Sequence, residues 1–216
     1  MFCYQRNFGS PTEIVTAERF WALVRAPQTS ELIDGYRATG DAALKRKLPA
    51  FIFQATFEET VSKKGKKGAW RCQAGSRLNG LCVMDVDHVE NPCETFNSWH
   101  GFESKDKQHG DIIGTDLHGL INKDTAGDAK KDSVSQNESR VNPFLKELGI
   151  LLVYVTPSGK GLKIVFKADA EKGNLIDNQH AMAEVLGVEV DESCKDASRM
   201  SFICKESDIL YIGNYY

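Results

Sequence analysis

"NGLCVMDVDHV", residues 79–89, is the stretch on which the fold turns. Leu81, Cys82, Val83, Met84 and Val86 make a nearly continuous apolar run, which predicts a central strand covered on both faces. Side chains two apart on a strand share a face, so Asp85 and Asp87 project together while Val86 enters the opposite layer. His88 then faces away from both aspartates and reads as a solvated or hydrogen-bonded histidine. Adjacent carboxylates repel, and a buried unpaired charge is costly. A divalent cation resolves the conflict, and Mg²⁺ or Mn²⁺ prefers hard oxygen ligands. Such ions serve phosphoryl transfer by activating an attacking oxygen and stabilising a leaving one. A D-x-D pair at a strand end otherwise caps a turn. Here the preceding apolar run sets the pair at the rim of a core.

Outward from this strand the pattern alternates between helix and strand. Residues 11–48 read as helical. "SPTEIVTAERFWALVRA" offers Ser10 or Thr12 as a cap, with Ile14, Phe20, Leu23 and Val24 on one side. "TSELIDGYRATGDAALKRKL" reads as two shorter helices broken near Gly40, and "PAFIFQATFE" (49–58) as a strand. "TVSKKGKKGAWR" (60–71) is a basic, glycine-containing loop or hairpin. Residues 90–140 are irregular: "IIGTDLHGLI" is a short element, and "NKDTAGDAKKDSVSQNESR" reads as a mobile loop. "NPFLKELG" is a short helix ending at Gly149. "ILLVYV" (150–155) and "LKIVFKA" (162–168) form a β-hairpin around "TPSGKG". "GNLIDNQHAMAEVLG" is a helix with Leu175, Met182, Val185 and Leu186 available for packing. An extended piece, a turn and a strand at 200–204 follow. The expected fold is α+β: a mainly antiparallel or mixed sheet flanked by helices, one domain over 1–216 with an insertion at about 100–140.

Composition bounds the partners. The chain is 41% hydrophobic and 26% charged, with a formal net charge of -3, so any nucleic-acid contact must come from a local basic patch. "KKGKKGAWR" supplies one: Lys63, Lys64, Lys66, Lys67 and Arg71, with Trp70 as a stacking platform. "LKRK" (44–47) supplies another, and either can guide a template strand toward the carboxylates. The competing reading is a solvated hairpin loop. The six cysteines include no C-x-x-C pair, and Cys82 and Cys204 lie in apolar runs. They read as free thiols of a reducing compartment. The start "MFCYQRNFGS" lacks a signal-peptide pattern and no run reaches the length of a membrane span, so a cytoplasmic protein is expected.

Two further stations accompany the acidic pair. The Ser158, Gly159, Lys160, Gly161 turn lets backbone N–H groups approach an anion, and Lys163 follows on the emerging strand as a point charge for a triphosphate. It is not a Walker A loop, because it enters a strand rather than a helix. By itself such a turn is a plain hairpin. Further on, "GVEVDESCKDASRMSFI" offers Glu189, Asp191, Glu192 and Asp196. Asp191, after apolar Val190, is the preferred third metal ligand. Arg199 is a second phosphate clamp, since guanidinium binds phosphate bidentately. The alternative is a charge-mixed loop with an Arg199–Asp196 ion pair.

Taken in order, "VMDVD", "PSGKGLK" and "VEVD" resemble the three motifs of the archaeo-eukaryotic primase superfamily, and more closely the VirE N-terminal domain family of bacterial primase–polymerase-like modules. "YRATGDAALKRKLPAFIFQATF" and "VDESCKDASRMSFI" extend the resemblance across most of residues 30–211. The resemblance implies an RRM-like primase–polymerase fold. It implies Asp85, Asp87 and Asp191 as catalytic ligands of Mg²⁺ or Mn²⁺. It places Ser158, Gly159, Lys160, Gly161, Lys163 and Arg199 on the nucleotide. The implied partners are nucleoside triphosphates, a single-stranded template and a helicase domain or subunit, in the replication of a bacterial mobile element. Lys163 stands where many catalytic members carry histidine, and lysine does not titrate near neutral pH. An inactive nucleotide- or nucleic-acid-binding module, or a metal-dependent nuclease, are the alternatives.

Overall fold

The computed structural model describes residues 1–62, 64–99, 142–191 and 196–213. The insertion expected at about 100–140, together with Lys63, Glu192 and Cys194, lies outside the described residues. Strands β1 (Phe2–Gln5) and β2 (Thr12–Val15) pair antiparallel, Phe2 opposite Val15 and Gln5 opposite Thr12. The sequence pattern places a helix there instead. β-branched Thr12, Ile14 and Val15 favour a pleated strand once β1 is available as a partner, a long-range fact that a local periodicity does not contain. Ile14, read as core-facing, is 49% exposed. Helix α1 (Ala17–Val24) starts later, and its cap is Thr16, which accepts from the Arg19 N–H at 3.2 Å. α2 (Pro27–Thr39) and α3 (Ala42–Lys47) break at Gly40, whose φ of 71° suits glycine.

The single strand read over 49–58 is two. β3 (Ala50–Ile52) joins β1, whereas β4 (Ala55–Phe57) pairs with β7 (Ser76–Leu78). Between β4 and β7, β5 (Glu59–Val61) and β6 (Lys67–Ala69) form the basic hairpin. The remaining elements are β8 (Leu81–Asp87), α4 (Pro92–Ser98), α5 (Pro143–Glu147), β9 (Ile150–Val155), β10 (Gly161–Lys167), α6 (Leu175–Leu186), β11 (Ser201–Phe202) and β12 (Ile209–Ile212).

Two four-stranded antiparallel sheets result, β11-β3-β1-β2 and β12-β9-β10-β8, where one was expected. The coarse class, mixed α and β with antiparallel pairing, is as the sequence reads. The main core joins both sheets. Tyr4 and Phe51 come from the first, Leu81, Val83, Tyr154 and Val165 from the second, and Phe20, Val24 and Ile33 from α1 and α2. The other face of the second sheet carries Cys82, Met84, Val86, Val153 and Ile164. It is covered by Phe96 and Trp99, Leu145 of α5, and Met182, Ala183 and Leu186 of α6. Val185, read as available for packing, is 47% exposed. No helix among the described residues is long and apolar enough to cross a membrane.

Cys3, Cys82 and Cys204 are buried free thiols, and Cys72 and Cys93 are exposed ones. Burial pushes the Cys82 thiol up from 9.0 to about 11. Because the folded value lies above the unfolded one, this thiol leaves stability unchanged below about pH 9 and subtracts from it as pH climbs toward 11. Peptide-resolved mass spectrometry after alkylation at pH 8 is expected to find Cys72 and Cys93 modified in the native protein. Cys3, Cys82 and Cys204 should be modified only after denaturation.

Candidate active site

β8 is an edge strand, not the central strand its apolar run predicts. Its outer backbone groups are met by side chains instead of a neighbouring strand. The Val83 N–H donates to Gln54 Oε1 at 2.9 Å, and Gln179 Nε2 donates to the Val83 carbonyl at 2.8 Å. Gln54 also donates to the Asp196 carbonyl at 3.1 Å. Both amides are buried, so a bare edge is replaced by satisfied polar groups. The next outward group, the Asp85 carbonyl, accepts from the Asp191 N–H at 3.0 Å. That backbone bond, with the Gln54–Asp196 contact, sets the late acidic segment beside the acidic strand.

The pairing of β8 with β10 places Lys163 opposite Asp85 and Gly161 opposite Asp87. Across the sheet, Tyr154 stands opposite Lys163. Asp85 is 5% exposed, and its carboxylate forms an ion pair with the Lys163 ammonium. Arg199 bridges two carboxylates, with Nη2 3.6 Å from Asp85 Oδ2 and 3.4 Å from Asp191 Oδ2. Asp87 is exposed at the rim. A side chain on Gly161 would bring Cβ to 2.8 Å from the Val86 carbonyl and 3.1 Å from Asp87 Oδ1, so glycine is required by close approach. Val86 points into the opposite core, as strand alternation demands. His88 is exposed beyond the strand end, with a φ of 58°.

Asp85, Asp87, Ser158, Lys163 and Arg199 line one hollow of about 420 Å³. Phe8, Phe202, Met200, Lys45 and Arg71 line it as well. Asp191 reaches this group through Arg199 and the Asp85 backbone. Glu189 and Lys160 are exposed. The hairpin turn is closed by its own bonds: the Gly159 N–H donates to the Thr156 carbonyl at 2.8 Å, and the Lys160 N–H to Ser158 Oγ at 3.3 Å. Asp196 does not pair with Arg199 in an ion pair. It accepts from the Ser198 N–H at 2.8 Å and the Ser198 hydroxyl at 2.9 Å. Burial opposes ionisation of Asp196, but those hydrogen bonds, one from Gln73 and the Arg71 charge together hold its carboxyl below the usual range.

The basic hairpin is not gathered at the hollow as a unit. Lys64, Lys66 and Lys67 are exposed, and Lys67 lies 3.2 Å from Glu59. Trp70 donates through Nε1 to the Lys66 carbonyl at 3.0 Å. Arg71 turns inward, where Nη1 donates to the Ser198 carbonyl at 3.1 Å.

One device has no motif in the sequence. Arg37 on α2 holds Asp208 bidentately at 3.0 and 2.9 Å, and donates to the Pro157 and Thr156 carbonyls, each at 3.1 Å. It ties the Ser-Gly-Lys-Gly turn to the helical layer and the C-terminal segment. An arginine in the last turn of a helix reads as surface charge until both partners are known.

Residues 132–211, less than half of the chain, match the family described as BT4734-like, N-terminal domain. Nothing among the curated proteins matches the chain, and nothing among the solved structures does. The family found is neither the VirE N-terminal family nor a primase–polymerase family, which corrects the resemblance drawn from the three motifs. The physical reason is the brevity of those motifs. An acidic pair on an apolar strand and a glycine turn between strands are short patterns that unrelated antiparallel hairpins also produce. The match includes the turn, Lys163, Asp191 and Arg199, and stops short of Asp85 and Asp87. The helicase partner and mobile-element setting had only that resemblance behind them.

Arg37→Ala is expected to lower stability by roughly 2 kcal/mol, because it leaves the buried Asp208 carboxylate without its fork. Arg37→Lys should recover less than half of that loss, since an ammonium cannot reproduce the bidentate geometry. Urea denaturation of the three proteins measures both.

Proposed function

We propose that the hollow binds a nucleoside triphosphate and supports metal-dependent nucleotidyl transfer, templated by a single strand. The observation that carries this reading is the gathering of Asp85, Asp87, Lys163, Arg199 and Asp191 from three separate stretches of chain. Carboxylate oxygens suit Mg²⁺ or Mn²⁺. The three carboxylates outnumber the two cations among them, so the cluster tolerates added positive charge. Among the described residues, however, no group of three or more His, Cys, Asp or Glu side chains is set to hold a metal, and Asp85 is engaged by Lys163. Asp85, Asp87 and Asp191 would hold the ion only as Lys163 lets go of Asp85. A metal bound there would assist loss of the attacking hydroxyl proton.

The chain's own residues do the rest. Lys163 and Arg199 move from carboxylate to phosphate oxygens, the guanidinium as a fork and the ammonium as a point charge. Gly161 lets β10 lie close against the end of β8 beside Asp87. Lys45 and Arg71, at the wall of the hollow, attract the anionic strand and ligand. A second reading has its own observation: the Asp85–Lys163 pair is a complete arrangement without a metal, which favours a module that holds nucleotide and does not turn it over. A metal-dependent nuclease would use the same carboxylates, and its product, a degraded template, separates it.

Primer extension on a single-stranded template with nucleotides and Mn²⁺ is expected to give product. Asp87→Asn should reduce it at least roughly 100-fold, the scale on which loss of one charge-stabilising group acts in catalysis. Asp87 is exposed, so the variant keeps the fold. Metal-dependent nucleotide binding without product selects the second reading. Synthesis undiminished in Asp87→Asn, or degradation of the template, excludes the first.

A further inference from the structure

We infer that Phe8, backed edge-on by Phe202, is a stacking seat for the nucleobase in the hollow that the carboxylates line, an inference that rests on the triphosphate reading above. Phe8 is 56% exposed and belongs to none of the three core clusters. More than half of this residue is therefore open to a ligand, and its one ring contact among the described residues is with Phe202. The turn that carries it is braced from within. The Gly9 N–H donates to Asn7 Oδ1 at 3.0 Å, the Asn7 N–H to Ser10 Oγ at 3.1 Å, and Gln5 Nε2 to the Ser10 carbonyl at 2.8 Å. Phe8 is thus presented by a rigid turn while its own ring stays out of the core.

The ring meets Phe202, with centroids 6.4 Å apart and planes at 71°. Both rings line the hollow that also holds Asp85, Lys163 and Arg199. Lys45 places Nζ 5.4 Å from the Phe202 ring centre, so positive charge and an aromatic face occur together. Phe202 is fixed in turn: its carbonyl accepts from the Tyr154 hydroxyl at 3.1 Å, and Tyr154 is the cross-strand neighbour of Lys163. The Tyr154 hydroxyl therefore links Phe202 in the first sheet to the Tyr154–Lys163 pair in the second. A molecule with a flat π-face and several negative charges matches a hollow lined by both aromatic rings and cations, and a nucleoside triphosphate is such a molecule. Stacking on a phenylalanine face has no hydrogen-bond readout, so all four bases are accepted.

Equilibrium dialysis separates base stacking from phosphate binding, using ATP, UTP and inorganic tripolyphosphate with Mg²⁺ present. Wild type is expected to hold both nucleotides roughly ten-fold more tightly than tripolyphosphate. Phe8→Ala should erase that difference while leaving tripolyphosphate binding unchanged, and Phe8→Trp should restore it. Equal binding of nucleotide and tripolyphosphate by wild type, or unchanged ATP affinity in Phe8→Ala, overturns the stacking seat and leaves the phosphate reading intact. Absence of any binding to wild type removes that reading and this inference with it.

Discussion

Asp85 is a carboxylate placed on the buried face of a strand, and the arrangement around it follows from the need to compensate that charge. Its same-face strand neighbours Val83 and Leu81 are core residues, and it is only 5% exposed at the hollow, so little water solvates it. The Lys163 ammonium opposite it on β10 supplies the partner, and Arg199 adds a second cation from a distant segment. A buried pair of this kind is seldom a net source of stability, because both ions lose hydration. Removing one member is a different matter, as it strands the other in low dielectric. The pair therefore acts as a constraint: any packing that separates β8 from β10, or shifts their register by one residue, leaves a bare charge in the core. A slip of one residue would also turn Asp85 into the apolar layer now filled by Met84 and Val86.

Holding that register requires the outer side of β8 to be quiet. Gln54 and Gln179 satisfy the backbone of Val83 without adding a strand, and the Asp191 N–H satisfies the next carbonyl. Because an ordinary neighbour strand is missing there, the segment bearing Asp191 and Arg199 can approach the carboxylate face closely. An edge strand that would normally invite pairing is thus turned into the wall of a hollow. On the far side, Arg37 fixes the hairpin turn from α2, so the two walls are held by different layers of the fold.

The sequence made the acidic strand, the β9–β10 hairpin and α6 legible, because each is a local pattern with a single period. Asp85 and Lys163 were each legible on their own strands, but that β8 would pair with β10 and set them opposite each other is a long-range fact that no local pattern contains. The β1–β2 hairpin was not legible. "TEIV" carries helical spacing with the residues after it, and only a partner strand decides otherwise. The division of 49–58 between two sheets likewise depends on where Gln54 finds its partners. Phe8, Arg37, Gln54 and Gln179 escaped notice because a lone phenylalanine, arginine or glutamine has no periodic signature, and each takes its meaning from a contact far along the chain. Motif order, by contrast, promised a family that the match over 132–211 does not support.

The charge arrangement also constrains how the proposed site would fill. A cation arriving alone competes with Lys163 for Asp85 and must displace an ammonium that has nowhere better to go. A triphosphate arriving alone brings its charge against Asp85, Asp87 and Asp191. Arriving together, each removes the other's obstacle: phosphate oxygens receive Lys163 and Arg199, and the freed carboxylates receive the metal. Binding of the two is then positively coupled, and thermodynamic linkage makes the coupling reciprocal. A histidine at position 163 would relax this dependence by losing its proton near neutral pH, whereas lysine keeps its charge and must be given another anion. At the proposed site, Lys163 would thus make metal binding conditional on a polyanion.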